Sequence, residues 1–358
     1  MTLKTSSGKP TIPSRILIIK LRHHGDMLLV TPVVHALKER YPDAEIDVLL
    51  YEETRSMLSA YGEIHHIYAI DRRWKKQGVR FQMSQEWQLL SQLRQKRYDL
   101  VLNLADQWRS AIITRFTGAP QRIGFAFPKR HHPLWRACHS ELVSTDNHAG
   151  LHTVEQNLSI LAPLGIDTRT APATMAYTPD DWQFCQSLLA ENAGSYVVVQ
   201  PTSRWFFKCW REERMAEVIR ALTDAGHHVV ITSGPDEKER QMVDAILSSC
   251  QSDKTHTLAG RLTLRQLAAL IDHASLFIGV DSVPMHMAAA LRTPLIALFG
   301  PSKLTFWRPW QAKGEVIWAG DYGQLPDPDD IDTRTSERYL DLIPASVVID
   351  AAKRLLHE

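Results

Sequence analysis

The segment Leu276–Ser302, LFIGVDSVPMHMAAALRTPLIALFGPS, constrains the fold more than any other part of the chain. Its first apolar run, LFIGV, stops at Asp281-Ser282. A short helical pattern, PMHMAAAL, follows at once, and a second apolar run, PLIALF, ends at Gly300-Pro301-Ser302. Strand, polar turn, helix, strand and polar turn in this order describe a βαβ unit whose strands are buried on both faces. The first turn feeds the chain straight into a helix N-terminus. Such a terminus presents free backbone N–H groups and about half a positive charge, which suits an anion, most simply a nucleotide diphosphate.

The same alternation runs through the rest of the chain. RILIIKL is a buried-strand run that ends in the polar turn Arg22–Asp26; a helix with Val33, Val34, Leu37 and Tyr41 on one face follows, then strand EIDVLLY. Helix EWQLLSQLRQKR, strand YDLVLNLA and helix RSAIITRFTG come next. The pattern restarts with strand SYVVVQPTS and helix REERMAEVIRALTDAG, which stops at Gly226 as a C′ glycine. Strand HHVVITSGP, helix EKERQMVDAILSSC, a short TLAG strand and helix LTLRQLAALIDHA lead into the opening segment. Alternating strands and helices of this kind make parallel, doubly wound sheets.

The expected fold class is therefore α/β, with two Rossmann-like doubly wound domains facing a central cleft, as 358 residues allow. GIDTRTAPATMAYTPDDW has Pro, Thr and Asp punctuation and weak periodicity, and reads as the linker. The expected boundaries are a flexible polar N-terminus over 1–14, a first domain over 15–172, a second over 173–325, and a tail with a final amphipathic helix over 326–358 that packs back on the first domain. Ligands of such sheets bind beyond the carboxyl ends of strands.

Composition narrows the partners. A net charge of +1 gives no global drive toward nucleic acid. The four cysteines are widely spaced without a metal or CxxC pattern, which fits a reduced, cytoplasmic setting. No apolar run approaches the roughly 20 residues of a membrane span, so any membrane attachment is expected to be peripheral. No GxGxxG follows a strand, and neither a P-loop nor a GxSxG elbow is present.

Chemistry is then sought in the turns that end strands. In Arg22-His23-His24-Gly25-Asp26, Gly25 permits close backbone geometry, and an ionised Asp26 can take a proton from a hydroxyl. A plain helix cap is the competing role for Asp26, with Thr31-Pro32 as a rival helix start. Adjacent His23 and His24 do not share the face a zinc site uses. In PTSRWFFKCWR, Thr202 and Ser203 can donate to phosphate and Lys208 can supply charge to a leaving diphosphate. After VVIT, Asp236 and Glu237 suit either ribose hydroxyls or the charge of a helix N-terminus, and the residues leave both open. Asp281, Ser282 and Val283 lead the opening helix, with His286 one turn in; a cap is the ordinary role of Ser282. Two basic clusters, Arg72, Arg73, Lys75, Lys76 and Arg80, then Lys129, Arg130, His131, His132 and Arg136, read as solvated faces or as a surface for a phosphorylated or lipid-linked acceptor.

These motifs together carry a resemblance. KLRHHGDMLLVTP, Lys208 within WFFKCWREE, and GVDSVPMHMAAAL followed by ALFGPS resemble the ADP-heptose:lipopolysaccharide heptosyltransferases over essentially the whole chain after the polar N-terminus. Within that family the chain is most similar to the branch that adds the third, side-branch heptose of the inner core. The resemblance implies a GT-B fold, with acceptor bound mainly by the first domain and donor by the second. It implies inverting, metal-independent transfer from ADP-L-glycero-β-D-manno-heptose, with no cofactor, to a lipopolysaccharide inner-core heptose on lipid A. Asp26 matches the family's general base and Lys208 its donor-phosphate lysine. Asp281 and His286 match its donor motif, and Asp236 or Glu237 its ribose contact. His23, His24, Gly25, Arg72, Arg73, Lys76 and Arg130 are the expected acceptor contacts. The donor motif departs from the commoner G-x-D-S/T-G-x-x-H form, because Val283 stands where glycine is usual. The other readings are the first or second heptosyl step, a non-catalytic nucleotide-sugar or core-binding module, and a sugar-nucleotide epimerase, which needs a second acid/base pair.

Overall fold

The computed structural model describes residues 12–189 and 194–357. Strands β1 (Arg15–Ile19), β2 (Glu45–Tyr51), β3 (His66–Ile70), β4 (Leu100–Asn103), β5 (Gln121–Ala126) and β6 (Glu141–Ser144) form one sheet in the order β3-β2-β1-β4-β5-β6. Strands β7 (Tyr196–Gln200), β8 (His228–Ile231), β9 (Thr255–Thr257), β10 (Leu276–Val280), β11 (Leu295–Phe299) and β12 (Gly314–Trp318) form the other, in the order β12-β11-β10-β7-β8-β9. Every strand pair is parallel. Numbered within its own half, each sheet has the same strand order. Each therefore has one point where the winding reverses, between β1 and β4 and between β7 and β10, and there the chain leaves a crevice.

The helices are α1 (His24–Leu28), α2 (Thr31–Arg40), α3 (Val79–Gln95), α4 (Trp108–Phe116), α5 (Pro133–Cys138), α6 (Thr153–Leu158) and α7 (Pro179–Leu188), then α8 (Glu212–Asp224), α9 (Glu237–Cys250), α10 (Leu264–Asp272), α11 (Val283–Leu291), α12 (Leu304–Trp307) and α13 (Ala345–His357). Successive strand residues point to opposite faces. Ile16 and Ile18 of β1 thus pack with α1 and α2, while Leu17 and Ile19 pack with α3 and α4. In the second sheet Tyr196 and Val198 face α10 and α11, and Val197 and Val199 face α8, α9 and α13. The layers of α1, α2, α10 and α11 belong to one apolar cluster, so the two halves share a core.

Where the chain is apolar without a break, strands lie where the sequence places them. Four strands escape that reading: β3, β5, β6 and β12 carry exposed or half-buried positions and polar residues. The short strand expected at TLAG lies two residues earlier, as β9. Helix α3 begins at Val79, seven residues ahead of EWQLLSQLRQKR. The expected linker already contains α7, which Thr178 starts by accepting from the Asp181 amide while Asp181 reciprocates. Gly226 stands just past α8 with φ +101°, as a C′ glycine requires.

Of the N-terminal segment expected to be flexible over 1–14, residues 1–11 lie outside the described residues, and Ser14 is anchored, its amide and hydroxyl each donating to Asp99 at 2.8 Å. The tail does not pack back on the first half. Helix α13 lies against α8 and strands β10 to β12, where Val348, Ala351 and Ala352 are buried. Helices α3 and α4 already cover the corresponding face of the first sheet, so the uncovered apolar face of the second sheet is what α13 fills.

Candidate active site

Strands of both sheets direct their carboxyl ends at one cleft. On the second sheet, β10 stops at Val280 and the chain turns at Asp281 into α11. Asp281 is buried and accepts at 2.6 Å from the Lys208 ammonium, which a short 3-10 turn after β7 carries. The Lys208 ammonium also lies 5.1 Å from the Trp205 ring centroid. An aromatic face and a carboxylate hold the cation at the β7/β10 crevice. Ser282 does not cap α11: its hydroxyl donates to the Val280 carbonyl at 3.2 Å, and no side chain caps the helix. Of the first three residues of α11, Pro284 has no N–H and the Met285 amide donates to the Ser282 carbonyl at 3.2 Å, so the Val283 amide is the donor this turn offers to an anion.

On the first sheet, β1 ends at Ile19 and the chain enters α1. Asp26 lies inside the first turn of this short helix, and His23 stands at the cap position without bonding to it. Asp26 is therefore no cap, and its carboxylate has no hydrogen-bond or ion-pair partner among the described residues. Nor is Thr31 a cap: it begins α2 and its hydroxyl donates to the Leu28 carbonyl at 2.8 Å.

The two walls meet at α1 and α11. A side chain added at Gly25 would place its Cβ 3.5 Å from His286 Cδ2 and 4.0 Å from Val283 Cγ2. Gly25 does not use a left-handed backbone; it leaves room for the opposite wall. Val283 fills part of that room with a methyl group. His286 is buried, its Nδ1 has no hydrogen-bond partner, and its ring stands edge-on to Trp307. Burial pushes the His286 imidazole down to about 4, although the Asp281 and Asp26 carboxylates oppose that shift. At neutral pH this side chain offers a neutral hydrogen-bonding group to the cleft.

The family model of glycosyltransferase family 9 (heptosyltransferase) matches residues 86–335. This chain belongs to glycosyltransferase family 9. It is 45% identical over 339 residues to a lipopolysaccharide heptosyltransferase 3 of Escherichia coli, covering 94% of this chain and 97% of that protein. Identity to the protein of the same name from strain K12 is 42% over 340 residues, covering 94% and 97%. Among solved structures, the family 9 glycosyl transferase of Veillonella parvula superimposes with a TM-score of 0.81 at 23% identity, over 96% of this chain and 97% of that one. The ADP-heptose lipopolysaccharide heptosyltransferase II of E. coli does so with a TM-score of 0.77 at 24% identity, over 96% and 98%. The fold is GT-B, and the protein is a glycosyltransferase.

Other residues of this family 9 enzyme fall partly outside the expected roles. Thr202 is buried, and its hydroxyl donates to Glu239 at 2.5 Å while accepting from Gln200 at 2.9 Å. That proton is committed, so Thr202 shapes the loop and does not present a donor to phosphate. Ser203 is also buried, and its amide donates to Cys209. Asp236 caps α9 by accepting from the Lys238 amide at 3.0 Å. Glu237 pairs with Arg240 on the exposed side of the helix. The carboxylate that reaches the cleft side is Glu239, which also accepts from the Gly234 amide at 3.0 Å. Its signal in the sequence was the acidic residue three positions after the cap, Asp236-x-x-Glu239.

Among the basic residues of the first half, Arg72 stacks over Tyr51 and pairs with Glu53, and Arg73 pairs with Asp71 at 2.8 Å. Their charge is partly balanced where they stand. His24 meets the Glu53 carbonyl at 2.8 Å, and burial pushes its imidazole below the usual range. This joins the Asp26 turn to the Arg72 cluster through Glu53. Lys76 and His23 stay exposed at this rim. Arg130 donates to the Asp106 carbonyl and lies over Trp108 and Trp135, while Arg22 pairs with the Asp106 carboxylate at 3.1 Å. Arg22 and Arg130 thus converge beyond β4, at the β1/β4 crevice. Sequence reading missed Arg22 because it lies in the turn without belonging to either basic run. It also gave no role to Lys20, whose buried ammonium donates to Asn157 at 3.1 Å and is pushed down by burial.

Proposed function

We propose that this glycosyltransferase moves L-glycero-D-manno-heptose from ADP-L-glycero-β-D-manno-heptose to the lipopolysaccharide inner core, adding the third heptose to the second with inversion. The observation that carries this reading is the placement of an unpaired carboxylate, Asp26, across a narrow cleft from a cation and a helix N-terminus, Lys208 and α11. The names of the 45% and 42% identical relatives support the third-heptose step.

Asp26 takes the proton of an acceptor hydroxyl. The oxygen attacks the anomeric carbon from the face opposite ADP. The bond from that carbon to the β-phosphate oxygen breaks, and its electron pair leaves with the diphosphate. Lys208 and the Val283 amide at the start of α11 receive this charge, and neutral His286 contributes a hydrogen bond. Asp281 holds Lys208 in place. No metal takes part in this scheme. No helix among the described residues is long and apolar enough to cross a membrane. With a lipid-linked acceptor, the reaction belongs at the cytoplasmic face of the inner membrane.

The test is to mix the protein with ADP-heptose and truncated core acceptors and weigh the products. Addition to an acceptor carrying two heptoses is expected. Addition only to acceptors lacking heptose reassigns the protein to the first step, and no addition to any acceptor sinks the transferase reading. Asp26→Asn should lower kcat about 100-fold or more with donor Kd unchanged, since general-base catalysis contributes about 10²–10⁴. Turnover by Asp26→Asn close to that of wild type would remove Asp26 as the base.

A further inference from the structure

The first sheet carries an outer helix layer whose surface is unlike the rest of the molecule. Eight of the fourteen most exposed large apolar side chains among the described residues lie between Val79 and Leu134. Val79, Met83 and Trp87 are 73%, 66% and 68% exposed. Spaced by four, they form one stripe along α3. Ile112 and Phe116 form a second stripe on α4, and Leu134 continues it on α5. The two helices are neighbours: a groove of about 340 Å³ between them is lined by Leu89, Leu90 and Ile112, and a second groove, of about 980 Å³, is lined by both Trp87 and Phe116.

Charge on this layer is also one-sided. Residues 72–97 hold eight Lys and Arg against one acid, Glu86, and residues 108–138 hold six with no acid. The whole chain is nearly neutral at +1, so this surplus is local. Arg109 neutralises Glu86 at 2.8 Å, and Arg80 and Lys76 stay exposed beside the α3 stripe. Protruding aliphatic and Trp side chains within a field of cations match the chemistry of an interfacial helix, which buries its apolar face among lipid headgroups and draws its affinity from anionic lipid.

We propose that the α3–α4 face docks on the surface of an anionic phospholipid bilayer. The stripe begins at Val79, just after the basic turn at the carboxyl end of β3, so it starts on the rim of the cleft. Docking there would hold the acceptor entrance against the bilayer, with α3 and α4 lying in the headgroup layer. The use of such a surface rests on the proposed lipid-linked acceptor; its existence does not.

The test uses full-length protein and vesicles of phosphatidylethanolamine with phosphatidylglycerol, compared with pure phosphatidylcholine, with neither donor nor acceptor present. Vesicle flotation at low salt should retain at least about tenfold more protein on the anionic vesicles. Raising the salt should release part of it. Met83→Ser/Trp87→Ser and Arg115→Glu, at an exposed position of α4, should each lower partitioning about tenfold, with circular dichroism and turnover on a soluble truncated acceptor unchanged. Absence of wild-type binding, or variants that float like wild type, overturns the proposal. A concentration-dependent dimer in sedimentation equilibrium that the same substitutions abolish overturns it in favour of a second copy of the chain. Because no sugar is involved, loss of the bilayer proposal and loss of the transferase reading are separate outcomes.

Discussion

Lys208 donates to Asp281 at 2.6 Å across 73 residues of sequence, and both side chains are largely shielded from water. The bond joins the loop after β7 to the turn after β10. It therefore fixes the two segments of the donor wall relative to each other before any donor arrives.

This pair has separable structural and chemical roles. Removing one partner of a buried ion pair costs about 3–5 kcal/mol, and the partial exposure of Lys208 places Lys208→Met toward the low end. Adding Asp281→Asn should restore most of the lost stability, because no unpaired charge remains buried. Turnover should stay low in both variants. Thermal unfolding and product formation measured side by side decide it: a double variant no more stable than the single one would show that the charge is not what destabilises.

Gly25 gives a graded prediction. Its added Cβ would make ordinary contact with His286, so Gly25→Ala should keep kcat within a few-fold. Gly25→Val has to push against His286 and Val283 and should lower kcat by 10-fold or more, an order of magnitude for disturbed positioning. Steady-state kinetics on the two variants test it, and equal activities would remove the close approach of the walls from the explanation.

His286 links folding to pH. Its imidazole is lowered from 6.5 to about 4 in the folded protein, so the unfolded chain binds the proton first as pH falls. The contribution is fully present above pH 6.5 and is lost as the pH falls toward 4. It is worth up to about 3 kcal/mol. Burial lowers His24, His139, His148 and His152 too, in the same direction. His286→Asn should flatten the acid slope in urea unfolding between pH 6.5 and 4 without removing it. An unchanged slope would mean that His286 titrates normally.

Glu239 holds two strand-end loops at once through Thr202 and Gly234. Hydrogen bonds to a charged group contribute about 1.5–3 kcal/mol. Glu239→Ala should therefore raise donor KM about tenfold, and Glu239→Gln should raise it less, since one acceptor oxygen remains. Asp236→Ala is expected to affect helix stability and leave donor KM close to wild type. Reversed effects of the two substitutions on KM would return the donor contact to Asp236.

What was legible in the sequence follows from burial. RILII, YVVVQ, LFIGV and LIALF are buried almost throughout, so their apolar runs are uninterrupted. HIYAI, QRIGFA, ELVS and GEVIW lie at or near sheet edges, carry polar residues on half-exposed positions, and lose that signal. Among site residues, Asp26, Lys208 and Asp281 could be found because each ends or follows a buried strand. The spacing Asp236-x-x-Glu239 marks Glu239 as a cap partner only; its bonds to Thr202 and Gly234 depend on how α9 is aimed, and Arg22 and Arg130 converge on Asp106 only once β1 and β4 are paired. The C-terminal helix was readable as amphipathic, but which sheet lacked a cover was not.

The halves are also joined beside His286, where Trp307 packs edge-on to its ring. There His152 Nε2 meets the Arg308 carbonyl at 2.8 Å, and Thr153 donates to the Phe306 carbonyl at 3.0 Å. Trp310 donates to Ala171 at 3.0 Å and Gln311 to Thr170 at 2.7 Å, both at backbone oxygens. Every residue owns a carbonyl, so the accepting positions are free to drift in sequence while the four side chains are not. Recognition between the halves is thus asymmetric in its tolerance: substitutions at the exposed positions 170 and 308 can accumulate without loosening the joint, whereas one change at His152 or Trp310 would loosen it.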